Sequence, residues 1–76
     1  MAIKRYPNIE AELARVNVTR LQLANELGYS APAITLKLSG RRKITLDDLR
    51  AICKIVGKPF NDESVDYLMT VEELDA

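Results

Sequence analysis

The stretch "TRLQLANELGYSAPAITLKLSG", residues 19–40, decides the fold of this chain of 76 residues. Thr19 and Gln22 have the spacing of a capping box, in which each side chain binds the other residue's backbone N–H at the start of a helix. An apolar stripe follows at helical spacing and ends with Leu27. Gly28 ends the predicted helix, because the left-handed conformation of a helix C-terminus costs glycine least.

A second helix is predicted almost immediately afterwards. Ser30 is a good N-cap, and Pro32 falls in the first turn, where its missing N–H costs nothing. Tyr29 and Ile34 have the spacing of a hydrophobic staple, and Gly40 ends the helix. The predicted buried face consists of Ala31, Ile34 and Leu38.

A helix of the same design is predicted after residue 45. Thr45 is its cap, Asp48 completes the capping box, and Gly57 followed by Pro59 ends it. Asp47 and Asp48 also complement the positive end of the helix dipole. The predicted buried stripe consists of Leu46, Leu49, Ile52, Cys53 and Val56.

The flanking segments complete a helical pattern. A first helix is predicted over residues 7–16. A short fifth helix, capped by Asn61 or Asp62, is predicted near the C-terminus, and residues 70–76 either continue it or form a frayed tail. No segment alternates with period two, so we expect an all-α fold, a compact bundle of four to five short helices.

Only Gly28 to Ser30 join the two helices of the opening stretch. Such a short turn with a glycine makes two helices cross steeply, which is the helix-turn-helix arrangement. Ala24 is small enough for the two backbones to approach, and Ile34 fills the wedge between the helices. Ala24, Gly28 and Ile34 have the spacing A-x-x-x-G-x-x-x-x-x-I that is typical of DNA-binding helix-turn-helix proteins.

The frame "TRLQLANELGYSAPAITLKLSGRRKITLDDLRAICKIVG", residues 19–57, resembles the lambda-repressor/Cro-like family, also called the XRE family. The resemblance covers about residues 8–60, and "TLKLSGRRKITLDDL" is similar to a phage-repressor-like branch. The family implies a five-helix domain whose third helix lies in the DNA major groove while the second crosses the DNA backbone. Carried onto this chain, the reading helix is residues 31–38.

The resemblance implies two sets of DNA-contacting residues. The base-contacting set is Ser30, Ala31, Pro32, Thr35, Leu36 and Ser39. The phosphate-contacting set is Thr19, Arg20, Lys37, Arg41, Arg42 and Lys43. Thr19 contributes through the backbone N–H groups that follow it, and Arg20 reaches a phosphate or a neighbouring base edge. Alternatively, Arg41 to Lys43 are solubilising loop charges.

The reading helix departs from the family pattern in two ways. Its exposed set has no Arg, Asn or Gln, which bind guanine or adenine bidentately, so readout would use thymine methyl groups, single hydrogen bonds, Arg20 and DNA shape. Lys37 replaces a residue that is aliphatic in many members of the family. We expect Leu38 to take the core position and Lys37 to extend over the surface towards phosphate. A buried Lys37 would mean that the register of this helix is wrong.

Charge is divided unevenly along the chain. Residues 1–60 carry all eleven Lys and Arg with five acids, and eleven minus five gives a net charge of +6; residues 61–76 carry six acids and no base, a net charge of −6. The basic part fits a polyanionic partner, and two ordinary solvated faces are the alternative interpretation.

Length and composition restrict the classes of protein. The chain is long enough for one domain over residues 1–76, with a core over 8–60 and an acidic C-terminal helix or tail over 61–76. Without histidine, Cys53 alone cannot build a common zinc site or an intramolecular disulfide, so we expect no enzyme, no cofactor and no small-molecule ligand. The absence of a long apolar run or signal peptide predicts a cytoplasmic protein without membrane contact.

Together these features favour a sequence-specific double-stranded-DNA-binding transcriptional regulator, a repressor of phage or mobile-element type. Such proteins bind two-fold sites as dimers, and the C-terminal segment is the candidate homodimer surface. The apolar residues of that segment are Tyr67, Leu68, Met69, Val71 and Leu74; alternatively, Val65, Leu68 and Met69 close the core. The alternative function is a protein-interaction module, such as an antitoxin or anti-repressor, that uses the acidic C-terminal segment.

Overall fold

Five short helices and a two-stranded ribbon form the computed structural model, which describes residues 2–75 and the side chains of residues 5–72. The elements in chain order are β1 (Ala2–Arg5), α1 (Pro7–Arg15), α2 (Arg20–Leu27), α3 (Ala31–Leu38), α4 (Leu46–Val56), α5 (Asp62–Leu68) and β2 (Glu72–Asp75). The predicted all-α bundle of short helices is therefore confirmed. Within the described residues, none of these helices is long and apolar enough to cross a bilayer.

Side-chain caps start four of the five helices. Thr19 and Thr45 each form a complete capping box at the starts of α2 and α4. Ser30 caps α3, and Asn61, not Asp62, caps α5. Because each cap satisfies a backbone N–H that has no partner within the helix, these side chains determine where the helices begin.

The core lies where α1 to α4 meet, and α5 closes it. The buried apolar side chains are Tyr6, Ile9, Leu13, Leu23, Ala24, Ile34, Leu38, Ile44, Leu49, Ile52, Cys53, Val56 and Leu68. The prediction that Leu46 belongs to the buried stripe of α4 is wrong, because this side chain is 65% exposed. Leu46 is the first residue of its helix, and its side chain lines an open groove at the surface. Leu68 is fully buried. It therefore closes the core, as the alternative interpretation held, and its place on the candidate homodimer surface is wrong.

The ribbon is the element that the sequence did not predict. β1 pairs with β2 in antiparallel register, with Ala2 opposite Asp75 and Arg5 opposite Glu72. Strands of four residues are too short to show a clear alternation of polar and apolar residues. Residues 72–75 are accordingly a strand and not the helix or frayed tail that was expected. The pairing joins the two ends of the described chain.

Candidate nucleic-acid interface

The turn between α2 and α3 has the geometry that the spacing predicted. Gly28 has a φ of 76°, in the left-handed region. A methyl group at Gly28 would meet nothing within 4 Å, so the backbone angle alone favours glycine. The N–H of Tyr29 donates to the Ala24 carbonyl over 2.8 Å. Ala24 is fully buried and Ile34 is 2% exposed, which confirms that both side chains pack where the two helices approach.

One side of α3 faces solvent. Of the predicted base-contacting residues, Ser30, Ala31, Pro32 and Thr35 are exposed, and Leu36 and Ser39 are half-buried. Ala31 is exposed, so its expected place on the buried face is wrong. It is the first residue of α3, directly after the Ser30 cap, where the helix begins at the surface. The six residues remain candidates for base contact.

Two hydroxyl groups of this set already have intramolecular partners. The Ser30 Oγ accepts a hydrogen bond from the Ala33 N–H over 3.3 Å. The Ser39 hydroxyl donates to the Leu36 carbonyl over 3.1 Å. Both bonds stabilise the ends of α3 and leave Thr35 and Leu36 at the centre of the predicted base-contacting set.

The basic loop, residues 41–43, follows α3 after Ser39 and Gly40. The side chains of Arg41, Arg42 and Lys43 are exposed. The three ion pairs between described side chains join Arg15 to Glu12, Arg20 to Glu10 and Lys37 to Asp48, so none of them involves the basic loop. The guanidinium and ammonium groups of this loop are thus available to an anionic partner beside α3.

The backbone of the basic loop is held at both ends. The N–H groups of Arg41 and Arg42 both donate to the Leu36 carbonyl, over 3.0 and 3.1 Å. The carbonyl of Lys43 accepts a hydrogen bond from the Lys37 Nζ over 3.3 Å. The loop therefore presents exposed side chains on a backbone that is hydrogen-bonded at both ends.

The start of α2 carries the other predicted phosphate-contacting residues. Thr19 is exposed and its hydroxyl accepts from the Gln22 N–H, so its cap is intact. The Arg20 guanidinium lies 2.8 Å from the Glu10 carboxylate, and the two side chains are 50% and 41% exposed. An exposed pair of this kind contributes about 1 kcal/mol or less, so Arg20 can exchange Glu10 for a phosphate at little cost.

Lys37 does not lie on the surface, and its prediction as a phosphate-contacting residue is wrong. The residue is 6% exposed. Its Nζ lies 2.6 Å from Asp48 Oδ2 and 4.6 Å from the centre of the Tyr29 ring. The bounds of α3 agree with the prediction, and Leu38 is buried as expected. The predicted register of the helix is therefore correct. Lys37 can lie on the buried face because the Asp48 carboxylate on α4 neutralises its charge.

Asp48 is the centre of what we call the buried polar cluster, which consists of Tyr29, Lys37 and Asp48. The Tyr29 hydroxyl donates to Asp48 Oδ1 over 2.6 Å, and the N–H of Thr45 donates to Asp48 Oδ2 over 3.0 Å. Burial of Asp48 favours its neutral form, but the hydrogen bonds from Lys37 and Tyr29 outweigh burial and lower the pKa of Asp48 to about 2. Burial likewise disfavours the Lys37 ammonium, yet its hydrogen bond to Asp48 leaves the pKa of Lys37 raised.

Sequence reasoning assigned Asp48 to a capping box and Tyr29 to packing, and it missed their contact. The position of Lys37 was a possible signal. It lies three residues after Ile34 and therefore on the same face of the helix as this core residue, where a lysine needs a countercharge. Its partner lies eleven residues away, across a loop whose path local patterns do not determine.

Of the C-terminal segment that was predicted as the homodimer surface, Met69 lines an apolar groove beside the basic loop, and Leu68 lies in the core. The groove is lined by Lys43, Ile44, Thr45, Leu46, Asp47, Leu49, Val65 and Met69. Val65 and Met69 are half-buried against the core, and Val71 is 41% exposed. Tyr67 is 37% exposed and donates its hydroxyl to Glu12 over 3.1 Å. The side chain of Leu74 lies outside the described residues.

Two further features concern nucleophilic and metal-binding groups. Cys53 is 1% exposed, and burial raises the pKa of its thiol, which makes it a weak nucleophile. Among the described residues, no group of three or more acidic, cysteine or histidine side chains is placed to hold a metal ion.

Comparison of the chain with protein-family models, with curated proteins and with solved structures gave no match.

Proposed function

We propose that this chain is a sequence-specific, double-stranded-DNA-binding transcriptional regulator, a repressor of phage or mobile-element type that acts in the cytoplasm. The observation that carries the proposal is the juxtaposition at the end of α3. An exposed helix face, supported by a tight helix-turn-helix, continues directly into three exposed cations on a fixed backbone. A helix that enters the major groove needs this combination, because phosphate contacts position it and base contacts select the sequence.

In this proposal, α3 lies in the major groove with Thr35 and Leu36 towards the base edges. Their methyl groups suit contact with thymine methyl groups, and the Thr35 hydroxyl supplies a single hydrogen bond. Arg41, Arg42 and Lys43 lie along one phosphate backbone. Arg20, released from Glu10, contacts the other flank of the site near the start of α2.

The proposal includes a homodimer, because one short reading helix covers too few base pairs to select a site. Two copies would bind two half-sites about one helical turn apart. The apolar groove next to Leu46 is the candidate contact between the copies, and its proximity to the basic loop would place both reading helices on one side of the dimer.

The test is selection from randomised duplexes at several salt concentrations, with sequencing of the retained DNA and fluorescence anisotropy on the enriched site. We expect a two-fold symmetric site and a steep fall of affinity with salt. A test variant and a control variant, each of which loses two positive charges, are then compared. Arg41→Ala with Arg42→Ala should weaken binding to every duplex, whereas Arg50→Ala with Lys54→Ala, on the exposed side of α4, should not. No retention at low salt would refute the proposal.

A protein-interaction module is the second candidate function. It is favoured by the exposed side of α3, which lacks every side chain that binds a base bidentately. The acidic side chains of Asp62, Glu63 and Asp66 are exposed on α5 and would meet a basic partner. Neutralising these three acids should then abolish partner binding and leave DNA retention unchanged, which separates the two functions.

A further inference from the structure

The buried polar cluster joins three parts of the chain that must keep a fixed relation during DNA binding. Tyr29 belongs to the turn between α2 and α3, Lys37 to the last turn of α3, and Asp48 to the first turn of α4. All three meet at one carboxylate, with two hydrogen bonds of 2.6 Å to its two oxygens. The cluster thus connects the reading helix at both ends to the helix that follows the basic loop.

The same cluster also holds the far end of the basic loop. Lys37 donates to the carbonyl of Lys43, and Asp48 accepts from the N–H of Thr45. The near end is held by the Leu36 carbonyl, which lies on α3 itself. The hydrogen bonds that hold the two ends of the loop therefore join it to α3 or to Asp48, the partner of Lys37.

A charged group is a poor choice for stability at this position. Taking an ammonium and a carboxylate out of water costs several kcal/mol, and apolar side chains of similar volume usually serve a core as well or better. An apolar residue in place of Lys37 would fill the same space. It could not donate to Asp48 or to the Lys43 carbonyl, and these directional bonds determine where the loop lies.

We propose that the buried polar cluster is a positioning device that fixes the basic loop relative to the reading face of α3, so that phosphate and base contacts form together. The inference rests on the proposed function and deepens it. Tyr29, Lys37 and Asp48 are positioning residues that touch no DNA. Their loss changes how many phosphate contacts form at once, and that number is the quantity that the salt dependence of binding measures.

The test compares two charge-neutral double variants on the site enriched by the wild-type chain. Lys37→Met with Asp48→Asn removes the buried pair, and the asparagine retains a side-chain oxygen for the cap. Glu12→Gln with Arg15→Met removes another ion pair, of 2.9 Å, whose hydrogen bonds join α1, α4 and α5 only. Binding is measured by anisotropy from low to high salt, at a temperature where circular dichroism shows each variant folded.

We expect the cluster variant to lose about two units of the salt slope and about tenfold in affinity at ~0.15 M salt, since each lost phosphate contact lowers the slope by about 0.9. The control variant should retain both values. A folded cluster variant with the wild-type slope and affinity would overturn the positioning role while leaving the proposed function intact. If the wild-type chain retains no duplex at low salt, the proposed function and the positioning role both fail.

Tyr29→Phe keeps the inference testable if the double variant does not fold. It removes one hydroxyl group and its hydrogen bond to Asp48, and it leaves the ring beneath Lys37 in place. We expect a smaller loss of slope in the same direction. Tyr67→Phe, which removes the hydroxyl bonded to Glu12, is the matched control. Equal slopes for these two variants would overturn the positioning role.

Discussion

Lys37 and Asp48 form an ion pair of 2.6 Å between α3 and α4, with side chains only 8% and 5% exposed. Every polar side-chain atom of the pair has a hydrogen-bond partner, because Tyr29, Thr45 and the Lys43 carbonyl add to the bond between the two residues. No buried side-chain nitrogen or oxygen among the described residues lacks a partner. Because these groups are paired, the change in the free energy of unfolding after removal of one member of the ion pair can be predicted.

Removing one member of the pair should cost far more than removing both. Lys37→Met leaves the Asp48 carboxylate buried without a countercharge, so the free energy of unfolding should fall by about 3 kcal/mol. Lys37→Met with Asp48→Asn should lose about 1 kcal/mol or less, since no uncompensated charge remains. Urea denaturation of both single variants and the double variant completes the cycle. Losses that simply add would contradict a coupled pair.

The pair should make stability depend on pH at the acid end. The pKa of Asp48 is lowered from 3.8 to about 2 by folding. Its contribution is therefore complete above pH ~3.8 and is lost as the pH falls through ~2, and the shift corresponds to about 2 kcal/mol. The raised pKa of Lys37 has the opposite sense, so that its contribution is complete below pH 10.5 and is lost above its folded pKa.

The double variant Lys37→Met with Asp48→Asn isolates this effect from the titration of other acids. The difference in unfolding free energy between the wild type and this variant should be constant from pH ~4 to ~10. Between pH ~4 and ~2, the wild type should lose about 2 kcal/mol of unfolding free energy relative to the double variant. A constant difference down to pH 2 would mean that the Asp48 pKa is not lowered.

Gly28 should resist substitution because of its backbone angle. Gly28→Val places a β-branched residue at a φ of 76° and should lower the free energy of unfolding by about 1 to 2 kcal/mol. Gly28→Asn is the control, because asparagine tolerates the left-handed region better. Thermal unfolding followed by circular dichroism measures both. Equal melting temperatures for the two variants would argue against the left-handed turn.

Thr35 should govern which DNA site is preferred. Thr35→Ala removes one hydroxyl and one methyl group from the centre of the proposed reading face, so we expect an altered enriched sequence with near-normal binding to random DNA. Arg41→Ala should do the reverse, with a uniform loss and a salt slope smaller by about 0.9. Both are measured by the duplex selection. A uniform loss after Thr35→Ala would contradict base reading by this residue.

The apolar groove should control self-association. Leu46→Glu places a charge at its rim and should convert a dimer to a monomer in sedimentation equilibrium. Leu21→Glu is a close control, because Leu21 also lies in the first turn of a helix and is 59% exposed, compared with 65% for Leu46. The effect of the charge on the helix dipole is thus matched. Equal association of both variants would exclude the groove as the dimer contact.

The parts of the fold that could be predicted are those encoded within a few residues. Capping boxes at Thr19 and Thr45 and the glycine at position 28 act over one helical turn, so their sequence patterns are sufficient to predict them. The bounds of α2 and α3, and with them the helix-turn-helix, follow from these signals. The exposure of Thr35 agrees with the set that the family resemblance implies, and the exposure of the basic loop agrees with its three charged side chains.

The parts that could not be predicted depend on distant partners. The burial of Lys37 requires Asp48 on another helix, and the helical period alone treats a lysine as a surface residue. The exposure of Leu46 depends on which other elements pack near the first residue of α4. The pairing of β1 with β2 joins segments at opposite ends of the sequence, and neither strand is long enough to show its own period. Each of these features is a property of tertiary contact.

The ribbon that pairs Ala2 with Asp75 has a practical consequence for protein engineering. Any polypeptide attached before Ala2 or after Asp75 leaves the domain at the same place. An affinity tag, a fluorescent protein or an effector domain would therefore have the same reach from α3 whichever end carries it. A short peptide joining the two ends would give a cyclic chain. New ends could then be opened in a surface loop, such as the one that contains Pro59 and Phe60, which are both exposed.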